Sequence, residues 1–169
     1  MKLLRDARTL KTKAIGSLRT AMTAFTSYDD AGRVTMVLMH SQHACEMLLK
    51  AVSVQSKAGV FDKRTGRAIG FERCLGLCVA HYQLTTEEAS IMRAIDAQRA
   101  AAQHWFVYVS EYLLYMQIRA LITAFDPRQL PLLTAICVNQ SGLQDGELEK
   151  NALSGFAEGS RRIGRSFAD

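Results

Sequence analysis

Hydrophobic positions recur at helical spacing from the beginning of the chain. In residues 3–25 the apolar side chains fall mostly three, four or seven positions apart, as they do on one face of an α-helix. This first stripe consists of Leu4, Ala7, Ala14, Leu18, Met22 and Phe25. A second stripe, in residues 32–56, consists of Val34, Leu38, Cys45, Leu48, Leu49 and Val52. The two patterns predict two amphipathic helices separated by the polar segment SYDDAGR.

A short basic segment follows the second helix. Residues 59–71 read GVFDKRTGRAIGF and carry Lys63, Arg64 and Arg67 between two apolar flanks. Gly66 supplies the positive φ that a tight turn needs, so this segment predicts a small hairpin or an extended basic loop near residues 60–70. The three cations are candidate RNA-binding residues, although a solvated turn is the alternative.

Two more helices are predicted after this turn. One covers residues 71–80, and the next begins at Thr85, because Thr85 and Glu88 have the spacing of a capping box. The apolar pattern then runs to residue 125 without glycine or proline. It is compatible with a bend or break near His104 and Trp105, and also with one continuous helix.

The C-terminal quarter of the chain differs in composition. Residues 126–138 predict a last short helix, whereas residues 139–169 are polar and rich in glycine, as in a flexible tail. We therefore predict an all-α domain of four to five helices in residues 1–138 and a tail in residues 139–169. With 49% hydrophobic and 22% charged residues, the chain is suited to one globular core.

The net charge of +5 is concentrated at the N-terminus. The first nineteen residues include a single acidic residue, Asp6, and six cations: Lys2, Arg5, Arg8, Lys11, Lys13 and Arg19. A basic stripe of this kind fits a polyanion such as RNA, an acidic partner protein or a solvated helix face.

Membrane insertion and secretion are not predicted. The longest apolar window, residues 105–125, is interrupted by Glu111, Gln117 and Arg119, and charges are costly in lipid. The basic N-terminus does not lead into the apolar stretch of a signal peptide. We therefore expect a cytoplasmic protein.

The four cysteines lack the pattern of a disulfide framework. Cys74, Cys78 and His81 fall on one helical face, as a metal site would require. Their neighbours are apolar and no fourth ligand follows, which favours packed thiols and predicts neither a metal nor another cofactor.

Candidate chemistry lies on the fourth helix, where Arg99 precedes His104 by five residues. Asp96 can reach Arg99 at i+3, and Gln103 shares the stripe of Arg99, so both are candidate supporting residues. An imidazole can transfer protons near neutral pH, and a guanidinium can stabilise charge on a phosphate. The pair therefore fits metal-independent RNA cleavage. Since that reaction needs an acid and a base, a symmetric dimer would supply the second imidazole.

The segment RAAAQH, together with the earlier HSQHACEMLLKAV, resembles the HEPN superfamily. The hallmark of this family is an arginine, four to six residues and a histidine, late in an all-α bundle. The resemblance implies a homodimeric bundle, catalytic roles for Arg99 and His104, and endoribonuclease activity, often in toxin–antitoxin or phage-defence systems. Many active members carry a polar residue directly after the arginine, where this chain has Ala100.

The same superfamily supplies the alternative function. Some members are non-catalytic modules that pair with a nucleotidyltransferase-like or antitoxin partner. In this chain the face with Ala100, Ala101 and Ala102 would permit a close approach by such a partner. The sequence thus leaves open a ribonuclease and an interaction domain.

Overall fold

The structure is a computed structural model that describes residues 4–27, 32–62, 66–82, 84–104 and 109–124. This part of the chain forms five helices: α1 (Arg5–Phe25), α2 (Arg33–Gln55), α3 (Phe71–His81), α4 (Thr86–His104) and α5 (Glu111–Ala124). No β-strand occurs in these ranges, so the all-α prediction is confirmed. The predicted helix in residues 126–138 and the predicted tail lie outside the described residues.

Helices α1 and α2 form an antiparallel pair. The backbone N–H of Leu4 donates to Oε1 of Gln55 at 2.9 Å, which joins the start of α1 to the end of α2. Ala7, Ala14 and Ala21 are fully buried at intervals of seven residues. Because these side chains are small, the two helix axes can approach closely.

Helix α2 lies at the centre of the bundle and contacts α1, α3 and α4. Most of the stripe predicted from its sequence is confirmed as core, and Val34 is partly buried. Polar Ser41 and Gln42 are buried on the same helix. A helix buried on several sides in this way is a core helix, and the other four are positioned relative to it.

The predicted turn near residues 60–70 is present as a minimal hairpin. Phe61 and Ala68 form one antiparallel bridge, and Gly66 has φ of +65°. The positive φ predicted for Gly66 is therefore confirmed. Lys63 and Arg64 lie outside the described residues.

The fourth and fifth helices begin with side-chain caps. The N–H of Glu88 donates to Oγ1 of Thr85 at 3.2 Å, and the N–H of Thr85 donates to Oε2 of Glu88 at 2.9 Å, which confirms the capping box. At the start of α5, the N–H of Leu113 donates to Oγ of Ser110 at 3.2 Å. Since Val109 and Ser110 are not helical, the chain breaks after α4 instead of continuing as one helix.

The core has two apolar clusters. The larger one gathers residues from all five helices, including Leu75, Ala89 and Met92. The smaller one combines Phe25, Val37, Leu38, Val109, Leu114 and Ile118. In the part of the chain that is described, no helix combines the length and hydropathy needed to cross a membrane.

We expect Leu75→Ala to lower the free energy of unfolding by about 2–5 kcal/mol, because this side chain is completely buried and its removal leaves a cavity. Urea unfolding followed by circular dichroism measures the change. The control is Leu77→Ala on the same helix, where the side chain is only partly buried. An equal loss in both variants would contradict the assignment of Leu75 to the core.

Candidate active site on helix α4

The second half of α4 presents polar side chains between small ones. Ala89, Met92 and Ile95 bury the first half of the helix in the larger cluster. Beyond them, Ala100 and Ala101 are partly buried and Ala102 packs against the smaller cluster. The alanines keep the helix close to the core, so the longer side chains of this segment project beside them.

Arg99 is held by two neighbours on its own helix. Its NH2 group donates to Oδ1 of Asp96 at 2.7 Å, and its NH1 group donates to Oε1 of Gln103 at 2.6 Å. The contact predicted between Asp96 and Arg99 is therefore confirmed. The side chain of Arg99 is 25% exposed and that of Asp96 is 27% exposed. At this exposure the pair contributes about 1 kcal/mol or less to stability, and its main effect is to orient the guanidinium.

The protein interior beside Arg99 is polar. Burial raises the pKa of Cys45, and the Asp96 carboxylate adds to that rise, which places α2 and α4 side by side at this level. Ser41 lies one turn before Cys45 on α2 and is also buried. Among the described residues, buried polar atoms without a hydrogen-bond partner include Ser41 Oγ on α2, Gln98 Oε1 and Arg99 Nε on α4, and Gln117 Oε1 on α5. Sequence patterns gave no sign of these polar atoms.

His104 is the last residue of α4 and is exposed. Its side chain makes no hydrogen bond or ion pair with any residue that the structure describes. Five residues of helix separate it from Arg99 by about 7.5 Å along the axis and about 140° around it. One protomer therefore offers an oriented guanidinium and an open imidazole that do not bond to each other.

The basic hairpin packs into the core through Ile69. Arg67 is exposed, and Ile69 packs in the larger cluster with Ala89 and Met92 near the start of α4. The segment before His104 packs instead in the smaller cluster. No hydrogen bond or ion pair joins Arg67 to Arg99 or His104 within the described ranges.

An ion pair that the sequence did not reveal involves Arg33. Its NH2 group bonds to Oε1 of Glu111, and its side chain is only 10% exposed. Arg33 and His40 are a looser match to the spacing of Arg99 and His104, but this arginine is engaged between the first turns of α2 and α5. The contact spans 78 positions, so no local pattern could predict it.

The cysteines are packed thiols where the structure describes them. Cys45, Cys74 and Cys78 are free and buried, and burial raises the pKa of Cys78 to about 12. His81 is exposed, away from these buried sulfurs. Among the described residues, no group of three histidine, cysteine or acidic side chains is arranged to hold a metal ion. Cys137 lies outside those ranges.

The candidate site thus consists of Arg99, held by Asp96 and Gln103, and of His104 at the open end of the same helix. Both motif residues lie on α4, the fourth of the five described helices. Comparisons of the chain with protein families, with curated proteins and with solved structures found no match.

Proposed function

We propose that this protein is a metal-independent endoribonuclease of HEPN type that acts as a homodimer. The observation that carries the proposal is the exposed imidazole of His104 near an arginine already held by Asp96 and Gln103. Following the resemblance, we extend the proposal to a cytoplasmic toxin–antitoxin or phage-defence system.

The reaction is a transesterification followed by release of the product. His104 of one subunit accepts the 2′-hydroxyl proton while that oxygen attacks the adjacent phosphorus. The bond from phosphorus to the 5′-oxygen breaks, and the partner's His104 donates a proton to the leaving oxygen. The products are a 2′,3′-cyclic phosphate and a 5′-hydroxyl, so atoms and electrons balance without an oxidant or a metal.

Arg99 stabilises the charge on the phosphate. A guanidinium has five N–H donors, and the contacts to Asp96 and Gln103 leave donors for phosphate oxygens. It keeps its proton throughout, so it acts as a clamp and not as a base. Since its orientation is set before substrate arrives, little reorganisation is required in the transition state.

Exposed apolar side chains support self-association. Met36 and Met39 on α2 and Tyr112, Leu113 and Met116 on α5 are each at least 40% exposed. The ion pair between Arg33 and Glu111 holds the first turns of these two helices together. Covering such side chains is favourable, and a two-fold axis would cover them on both subunits at once.

We expect the purified protein to cut RNA in excess EDTA and to leave 2′,3′-cyclic phosphate ends, because the mechanism uses the neighbouring hydroxyl and no metal. Gel electrophoresis measures the cleavage, and mass spectrometry of the fragments identifies their ends.

The matched substrate carries a 2′-O-methyl group at the cleaved nucleotide and should stay intact. Light scattering should show a dimer at the concentration used for the assay. Cleavage of the methylated RNA, cleavage that requires a divalent metal, or an active monomer would contradict the proposed mechanism.

A non-catalytic interaction domain is the second candidate. The same exposed apolar side chains favour it, because they suit a partner protein as well as a second copy. The alanine-lined face is less available than the sequence predicts, since Ala102 already packs in the core. A stable dimer or complex with an antitoxin or nucleotidyltransferase-like protein, with no cleavage by a clean preparation, would favour this function.

A further inference from the structure

Helix α1 presents a continuous basic face to solvent. Lys11 is only 6% exposed and belongs to the opposite side, together with the buried alanines. The remaining described cations, Arg5, Arg8, Lys13 and Arg19, are all exposed. The name α1 face is used for these four cations together with Gly16 and four exposed threonines, Thr9, Thr12, Thr20 and Thr23.

The cations of the α1 face follow the helix over an arc of about 140° around its axis, with little opposing charge. Arg5 and Arg19 are fourteen positions apart in the sequence, or about 21 Å along the helix. Asp6, the single acidic residue in α1, lies at the edge of the face, about 100° around the helix from Arg5. The face therefore presents positive charge along most of the bundle.

The threonine hydroxyls of the α1 face donate their hydrogen bonds within the helix and not to a ligand. The hydroxyls of Thr9, Thr12, Thr20 and Thr23 each donate to the carbonyl four residues earlier, at 3.1 Å. Because these protons are engaged, the hydroxyls offer only acceptor oxygens, and the arginines and the lysine supply the donors. Their partner should therefore be an acceptor-rich polyanion.

Gly16 lies in the middle of the α1 face, and nothing in the packing of the described residues requires a glycine at this position. It is exposed inside the helix, and a Cβ added there would meet nothing within 4 Å. Glycine weakens a helix interior relative to alanine. Lys13 lies one turn before it and Arg19 one turn after it. Because glycine has no side chain, the helix backbone is exposed between these two cations. This arrangement permits a close approach by another backbone.

We propose that the α1 face binds the phosphate backbone of double-stranded RNA. A rigid helix that exposes four cations over about 21 Å suits the regularly spaced phosphates of a duplex, and contacts of this kind do not depend on sequence. Single-stranded RNA is bound largely by aromatic stacking, and α1 has no aromatic residue before Phe25, which is buried. The choice of RNA over another polyanion rests on the proposed function, whereas the binding itself does not require cleavage.

The first test compares two double charge reversals. The probe is a fluorescein-labelled duplex of 2′-O-methyl RNA, which the proposed chemistry cannot cut. For four phosphate contacts, affinity of the wild-type protein should fall roughly 100-fold between about 50 and about 200 mM salt. Arg8→Glu with Arg19→Glu should weaken binding about tenfold or more and reduce the salt slope by about two. Arg93→Glu with Arg119→Glu makes the same change in net charge on α4 and α5 and should have a much smaller effect.

The second test uses matched glycines. Gly16→Leu should raise the melting temperature, because leucine favours the helix, and yet weaken duplex binding about tenfold. Gly76→Leu makes the same change at an exposed position of α3 that is equally open, and it should leave binding unchanged. Together these results would support a duplex on the α1 face.

Equal losses in the two double variants, or unchanged binding by Gly16→Leu, would overturn the proposal. Tighter binding of single-stranded 2′-O-methyl RNA, or binding only to vesicles of anionic lipid, would overturn it in favour of another occupant. A protein that binds the duplex without cutting RNA would contradict only the proposed ribonuclease activity. A protein that cuts RNA in EDTA without binding the duplex would contradict only the proposed role of the α1 face.

Discussion

His104→Ala should reduce RNA cleavage by about 10²–10⁴-fold, the usual contribution of a general acid or base. In a symmetric dimer the substitution removes both the base and the acid, so we expect the upper part of this range. The side chain is exposed at the end of α4 and bonds to no residue in the described ranges, so its loss should leave the melting temperature unchanged. Rates are measured in EDTA, and folding is measured by thermal unfolding.

His81→Ala is the matched control for this result. His81 is also exposed and is also the last residue of a helix, α3. It should retain full cleavage. Equal activity of wild type and the His104 variant would remove the catalytic role of His104, and equal losses in both variants would point to a general effect on the protein.

Arg99→Ala should reduce cleavage by about 10²–10³-fold, because it removes the donors that stabilise charge on the phosphate. Arg99→Lys should recover only part of the rate, since an ammonium keeps the charge but lacks the planar fork that Asp96 and Gln103 orient. The loss should appear in single-turnover rates at saturating RNA. Stability should change by about 1 kcal/mol or less, as for other partly exposed ion pairs.

Arg93→Ala provides the control on the same helix. Its Nε contacts both carboxylate oxygens of Glu72, at 3.1 and 3.2 Å, and the pair is exposed. This variant loses the same type of side chain and a comparable ion pair, and it should keep wild-type cleavage. Retention of full activity by Arg99→Ala would contradict the proposed clamp.

Local patterns predicted most of the architecture correctly. The stripes in α1 and α2 depend only on spacing, and the cap between Thr85 and Glu88 depends on residues three apart. The contact between Asp96 and Arg99 is equally local, which is why sequence periodicity could predict it. The break before α5 also had a local signal, since Ser110 followed by Glu111 is a typical helix start.

Contacts between distant residues could not be predicted in the same way. The ion pair between Arg33 and Glu111 and the burial of the Ser41 hydroxyl depend on how helices pack, which no single stretch of sequence specifies. The burial of Lys11 is a similar case, because its charge suggested solvent while its register in α1 placed it inward. Whether two copies bring their His104 side chains together stays a prediction for the same reason.

The buried thiol of Cys78 can be used to measure how often α2 and α3 separate transiently. Burial raises the pKa of this thiol to about 12, so it stays protonated near neutral pH, and its Sγ lies 3.9 Å from the carbonyl oxygen of Leu49. An alkylating reagent can react at an appreciable rate only after these helices separate. The labelling rate at this cysteine therefore measures how often the interface opens, without RNA and without any mutation.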